Sequence, residues 1–147
     1  MDRKEFIKSC GYACLGSISI GLLLQGCVGT KMITSPIEND HIVVPLSAFA
    51  KDKDGKKEFL DYVIVQNAQL LYPVYLFRFS DSEYTALYLR CTHQGNELNA
   101  YGEKLVCTAH GSEFDKRGNV TKGPALTPLK SFPTHITSQK IKISLMQ

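Results

Sequence analysis

Two short segments carry the residues best suited to chemistry. The first reads Cys91-Thr92-His93-Gln94-Gly95, the second Cys107-Thr108-Ala109-His110-Gly111-Ser112, and thirteen residues separate His93 from Cys107. Thiolate and imidazole are the soft and borderline donors that take zinc, copper or iron. A lone Cys-x-His pair arises by chance, and a lone Cys-x-x-His is half of a zinc site. Paired, with a glycine closing each segment, they offer two thiolates and two imidazoles to one metal centre.

The elements that must position these segments are strands. From His41 onward, short apolar or alternating runs are punctuated by turn signals. Strands are expected at 42–47, 59–66, 74–79, 84–90, 104–107, 128–131 and 140–145. Asp52-Lys53-Asp54-Gly55 and Lys116-Arg117-Gly118-Asn119 read as turns. No long amphipathic helix is evident, so the class is all-β, an antiparallel sandwich.

The two boxes resemble those of the Rieske iron–sulfur family, and the resemblance runs from His41 to the C-terminus. It implies a Rieske-type β-sandwich in which two loops at one end form a cluster-binding subdomain. It also implies one [2Fe-2S] cluster, with Cys91 and Cys107 on one iron and His93 and His110 on the other. Replacing two thiolates by neutral imidazoles leaves the cluster less negative and raises its potential, to about −150 to +300 mV. Gly95 and Gly111 would let the backbone turn close to the cluster, aiming amides at its sulfides. Gly123-Pro124-Ala125-Leu126-Thr127-Pro128-Leu129 resembles the proline-containing loop that covers the cluster, which gives Pro124 a place beside it.

Three positions depart from the high-potential members of the family. Asn96 and Ala109 stand where those members carry a disulfide tying the loops, and its absence resembles the ferredoxin-type subgroup. Ser112 keeps a hydroxyl able to reach a sulfide, but Phe114 stands where a tyrosine would donate to sulfur. The potential is therefore expected in the middle or lower part of the range.

The N-terminus reads as an export signal. A charged start through Lys8 precedes an apolar run from Ser9 to Leu24, too short to span a bilayer comfortably. Leu24-Gln25-Gly26-Cys27 resembles a bacterial lipobox, and residues 2–8 resemble a twin-arginine signal with Lys4 in place of the second arginine. The expected organisation is a signal at 1–26, a tether at 27–40 and the Rieske domain at 41–147, with lipidation at Cys27. Of five cysteines, Cys10 and Cys14 would leave with the signal.

The remaining composition narrows the function. Over 147 residues the formal net charge is +3 and scattered, which gives no footprint for nucleic acid. His41, His135, Glu113 and Asp115 read as surface groups, and no nucleophile–base pair or phosphate loop is present. The expectation is an electron-transfer protein on the periplasmic side of a bacterial membrane, serving a cytochrome or a larger oxidoreductase subunit, without a substrate site of its own. The alternatives are a lipoprotein holding structural zinc with the same four ligands, and the ferredoxin component of a ring-hydroxylating dioxygenase.

Overall fold

The computed structural model describes residues 30–146. The strands, in chain order, are β1 (Met32–Thr34), β2 (Ile37–Glu38), β3 (His41–Pro45), β4 (Ala50–Lys53), β5 (Lys56–Phe59), β6 (Tyr62–Gln66), β7 (Val74–Arg78) and β8 (Tyr84–Tyr88). They continue with β9 (Asn99–Tyr101), β10 (Lys104–Val106), β11 (Glu113–Asp115), β12 (Val120–Lys122), β13 (Ser131–Phe132), β14 (Thr134–Ile136) and β15 (Lys140–Ser144). One 3-10 turn, Leu46–Phe49, follows β3. Among the described residues no helix is long and apolar enough to cross a membrane.

The expected all-β sandwich is present, built around a central sheet of order β1-β6-β7-β8-β13. Its strands β6, β7 and β8 are buried on both faces, which explains their continuous apolar runs. Val63, Val65, Val74, Leu76 and Ala86 face one core, where Ile42, Val44, Ile141 and Ile143 of the β14-β15-β3-β2 sheet meet them. Ile64, Tyr75, Phe77, Leu87 and Leu89 face the opposite core with Leu98, Leu105, Cys107, Phe114 and Leu129. The second core lies beneath the β12-β11-β10-β9 sheet, the subdomain that carries the two boxes. Burying a Val, Leu or Phe contributes about 1.5–3 kcal/mol, so both faces are strongly specified.

Several expected bounds shift. The run 59–66 divides at Leu60-Asp61: β4 and β5 form a hairpin of their own, and Leu60 N–H donates to Phe49 C=O. Asp54 and Gly55 both take positive φ at its tip, the left-handed pair that a tight hairpin needs. The strand expected at 128–131 starts three residues later, at β13, because the chain before it bonds Thr92 through Thr127 and Gly118 through Leu129 instead of a neighbouring strand. Residues 32–38, expected within a tether, are ordered: Met32↔Ile64 begins a parallel pairing of β1 with β6, and β2 pairs with β3. Ile33 and Ile37 pack against the first core, an apolar signal masked by the surrounding Thr, Ser, Pro and Asn. The short strands β9, β11, β12 and β14 are too brief to show a period.

Candidate metal centre

The two boxes fold as the same turn. In the first, Cys91 N–H donates to Asn96 C=O at 2.8 Å and Gly95 N–H to Cys91 C=O at 2.8 Å. In the second, Cys107 N–H donates to Ser112 C=O at 2.8 Å and Gly111 N–H to Cys107 C=O at 2.9 Å. Gly95 and Gly111 close these turns at φ +77° and +80°, a conformation that costs an L side chain about 1–2 kcal/mol. The tight turns expected of both glycines are present, and their amides are given to the Cys91 and Cys107 carbonyls.

The turns sort the four predicted ligands by depth. Cys91 and Cys107 are buried in the apolar core beneath the subdomain, and neither thiol is in a disulfide. His93 is half-buried and His110 exposed. The two imidazoles sit with ring centroids 5.0 Å apart, edge to face. Nδ1 of His93 is buried without a hydrogen-bond partner, and no other buried side-chain nitrogen or oxygen among the described residues is in that state. An orphaned ring nitrogen on one of two neighbouring imidazoles, in boxes that each also bury a thiol, fits a metal group that would supply the missing partner. Among the described residues, no three Cys, His, Asp or Glu side chains gather closely enough to hold one metal ion. An inner thiol pair and an outer imidazole pair suit a two-metal group better than a single tetrahedral zinc.

Residues 123–129 lie across the two boxes. Thr92 Oγ1 donates to Thr127 C=O at 2.7 Å, and Ala125 N–H donates to the buried Ser112 Oγ at 3.0 Å. The Gly123–Pro124 peptide is cis, with Pro124 exposed on that loop. Phe114 is fully buried in β11 beside Cys107 in the second core. Asn96 and Ala109 are exposed, and neither can tie the loops covalently.

These features match a known domain. A model of the Rieske [2Fe-2S] domain covers residues 47–133, more than half of the chain. The chain belongs to the Rieske [2Fe-2S] family. The Rieske chain is 26% identical to the cytochrome b6-f complex iron-sulfur subunit of Desmonostoc sp., over 99% of this chain and 84% of that protein. A b6-f iron-sulfur subunit 2 from Trichormus variabilis is 37% identical over 59 residues, which span 39% of this chain and 33% of that protein. Among solved structures, the plasma membrane Rieske protein PetC3 from Synechocystis PCC 6803 superposes with a TM-score of 0.50 at 28% identity, covering 57% of this chain and 86% of that one. The cofactor of this Rieske chain is one [2Fe-2S] cluster, and its work is electron transfer.

The 115–119 turn of the subdomain meets the segment between β7 and β8. Arg117 reaches Glu83 at 2.8 Å, and its guanidinium lies 4.1 Å from the Phe79 ring centroid. Glu113 pairs with Lys104 at 2.7 Å, and chiefly this bond holds its carboxyl below the usual range. Burial pushes the Asp115 carboxyl up, but donors from Asn119, Arg117 and Gly118 outweigh it and leave the net shift downward. Both acids, read from sequence as merely solvated, thus serve the Rieske subdomain's structure. The sequence reading assigned no role to Tyr72, which donates to Gly95 C=O at 2.6 Å, or to the Thr92 hydroxyl. Thr92 could have been found as a hydroxyl inside the first box, whereas no pattern marks Tyr72. Cys27, Cys10 and Cys14 lie outside the described residues.

Proposed function

We propose that Cys91 and Cys107 bind the inner iron of the Rieske cluster, that His93 and His110 bind the outer one, and that single electrons leave through the histidine side. The observation carrying this reading is the sorting by depth: two thiols within the apolar core, two imidazoles together at the surface. Anionic thiolates in a dry interior keep competing solvent from the iron–sulfur bonds, while exposed His110 shortens the path to a docked partner. The cluster supplies a one-electron couple; the chain supplies the ligands, the shield and the docking edge.

The N-terminus and the relatives support a membrane-attached, periplasmic setting. Lipid at Cys27 would hold the domain on the periplasmic face of a bacterial membrane, since several acyl chains at about 0.8 kcal/mol per buried CH₂ make a stable anchor. The relatives support a membrane context: one is a subunit of a cytochrome b6-f complex and another a plasma membrane protein. The redox partner is a cytochrome or the larger subunit of an oxidoreductase complex.

Fractionation of cells expressing the full chain tests the anchor, and affinity capture from detergent-solubilised membranes names the partner. The coloured protein should sediment with membranes and be released to the soluble fraction by Cys27→Ser. A wild-type chain found soluble overturns the anchoring.

A further inference from the structure

The geometry points to Tyr72 as a positioning residue for the first box, which no disulfide ties. Tyr72 lies just before β7, outside both boxes, and three contacts fix it. Its backbone N–H donates to the Tyr88 hydroxyl at 3.3 Å, its ring meets the Tyr88 ring edge to face at 5.5 Å, and its own hydroxyl donates to Gly95 C=O at 2.6 Å. The Gly95 N–H is already given to Cys91 C=O. The Arg90 guanidinium closes the other side of Gly95, 3.2 Å from where a Cβ would stand. Both peptide groups of this glycine are thereby held, one by the box and one by the central sheet.

The second box has no counterpart. A Cβ on Gly111 would meet nothing within 4 Å, and its carbonyl receives no side-chain donor from the described residues. The boxes are otherwise the same turn, so Tyr72 and Arg90 are what the first has in addition, and the Tyr72 hydroxyl pins the segment that carries His93 to Tyr88 of β8. A loop without a covalent tie has low-energy openings. A hydroxyl bonded to its backbone closes one of them. Tyr72 therefore sets how firmly the first Cys–His pair is presented to the cluster, a role that rests on reading Cys91 and His93 as ligands.

The test compares holo wild type, Tyr72→Phe and Tyr88→Phe by reduced-state EPR, by midpoint potential, and by the rate at which a chelator bleaches the visible absorption. Tyr72→Phe keeps the ring and loses one hydrogen bond, so bleaching should accelerate about three- to tenfold, with shifted g values and an altered midpoint. Tyr88→Phe removes the acceptor of the Tyr72 amide but leaves the Tyr72 hydroxyl on Gly95, so its g values and midpoint should move much less than those of Tyr72→Phe. Failure of Tyr72→Phe to load a cluster, while Tyr88→Phe loads normally, also supports the role. A Tyr72→Phe protein with wild-type spectrum, midpoint and bleaching rate overturns it, as do equal shifts in both variants. Wild type without a Rieske EPR signal overturns the ligand reading itself, whatever the variants do.

Discussion

The amide of Ala125, in the loop over the two boxes, donates to the buried hydroxyl of Ser112 at 3.0 Å. A hydroxyl that accepts one hydrogen bond keeps its own proton to give, and Ser112 sits directly after the box that carries Cys107 and His110. That proton is available to cluster sulfur, where donation stabilises the reduced state. Ser112→Ala should lower the midpoint potential in protein-film voltammetry. It should also cost about 1–3 kcal/mol in unfolding, because the Ala125 amide loses its buried partner. An unchanged midpoint would mean that the hydroxyl serves the loop alone.

One hydrogen-bond donor and one covalent tie of the cluster loops are absent here. Phe114 has no hydroxyl, and Asn96 and Ala109 form no disulfide. The wild-type midpoint should lie in the middle or lower part of the Rieske range of about −150 to +300 mV. Voltammetry at neutral pH checks this, and a value near the top of the range contradicts it.

Three glycines separate backbone strain from crowding. Gly95, Gly111 and Gly118 all take positive φ, but only at Gly118 would a Cβ fall 2.9 Å from Leu87 and 3.4 Å from Leu129. Both neighbours belong to the second core, where little can give. Gly111→Ala should cost about 1–2 kcal/mol in denaturant unfolding. Gly118→Ala adds overpacking and should cost about 3 kcal/mol in all. Equal losses would show that the Leu87 side chain simply moves aside.

Asp115 gives the subdomain a pH dependence. Its Oδ1 accepts from the amides of Arg117 at 2.8 Å and Asn119 at 2.9 Å, and its Oδ2 from the Asn119 side chain at 3.0 Å. Burial opposes ionisation, yet these donors depress the folded-state pKa overall. A depressed carboxyl contributes stability that is present above its unfolded pKa, near about 3.9, and lost as pH falls through the lower folded value. The stability gap between wild type and Asp115→Asn, from urea unfolding of the holo protein, should therefore be open at pH 6 and close in acid. A gap independent of pH contradicts the assignment.

How much of this was legible beforehand depended on the range of the interaction. The boxes, both box glycines and the loop around Pro124 were readable because their chemistry is local and their spacing short. The long strands of the central sheet were readable from β6 to β8 because burial on two faces leaves an unbroken apolar run. The order of residues 32–38 was not, since it comes from pairing with Ile64, thirty-two positions beyond Met32. Tyr72 escaped for the same reason: its hydroxyl meets Gly95 across twenty-three positions, and only the folded sheet brings them together.

The central claim is that two imidazoles and two thiolates share one cluster. Pulsed electron–nuclear resonance on the reduced protein tests it most directly, because nitrogen bound to iron couples strongly to the unpaired spin. Wild type should show two such ¹⁴N couplings, and His93→Cys or His110→Cys should each remove one. A reduced cluster with no strongly coupled nitrogen, or a colourless protein holding zinc, would contradict the account.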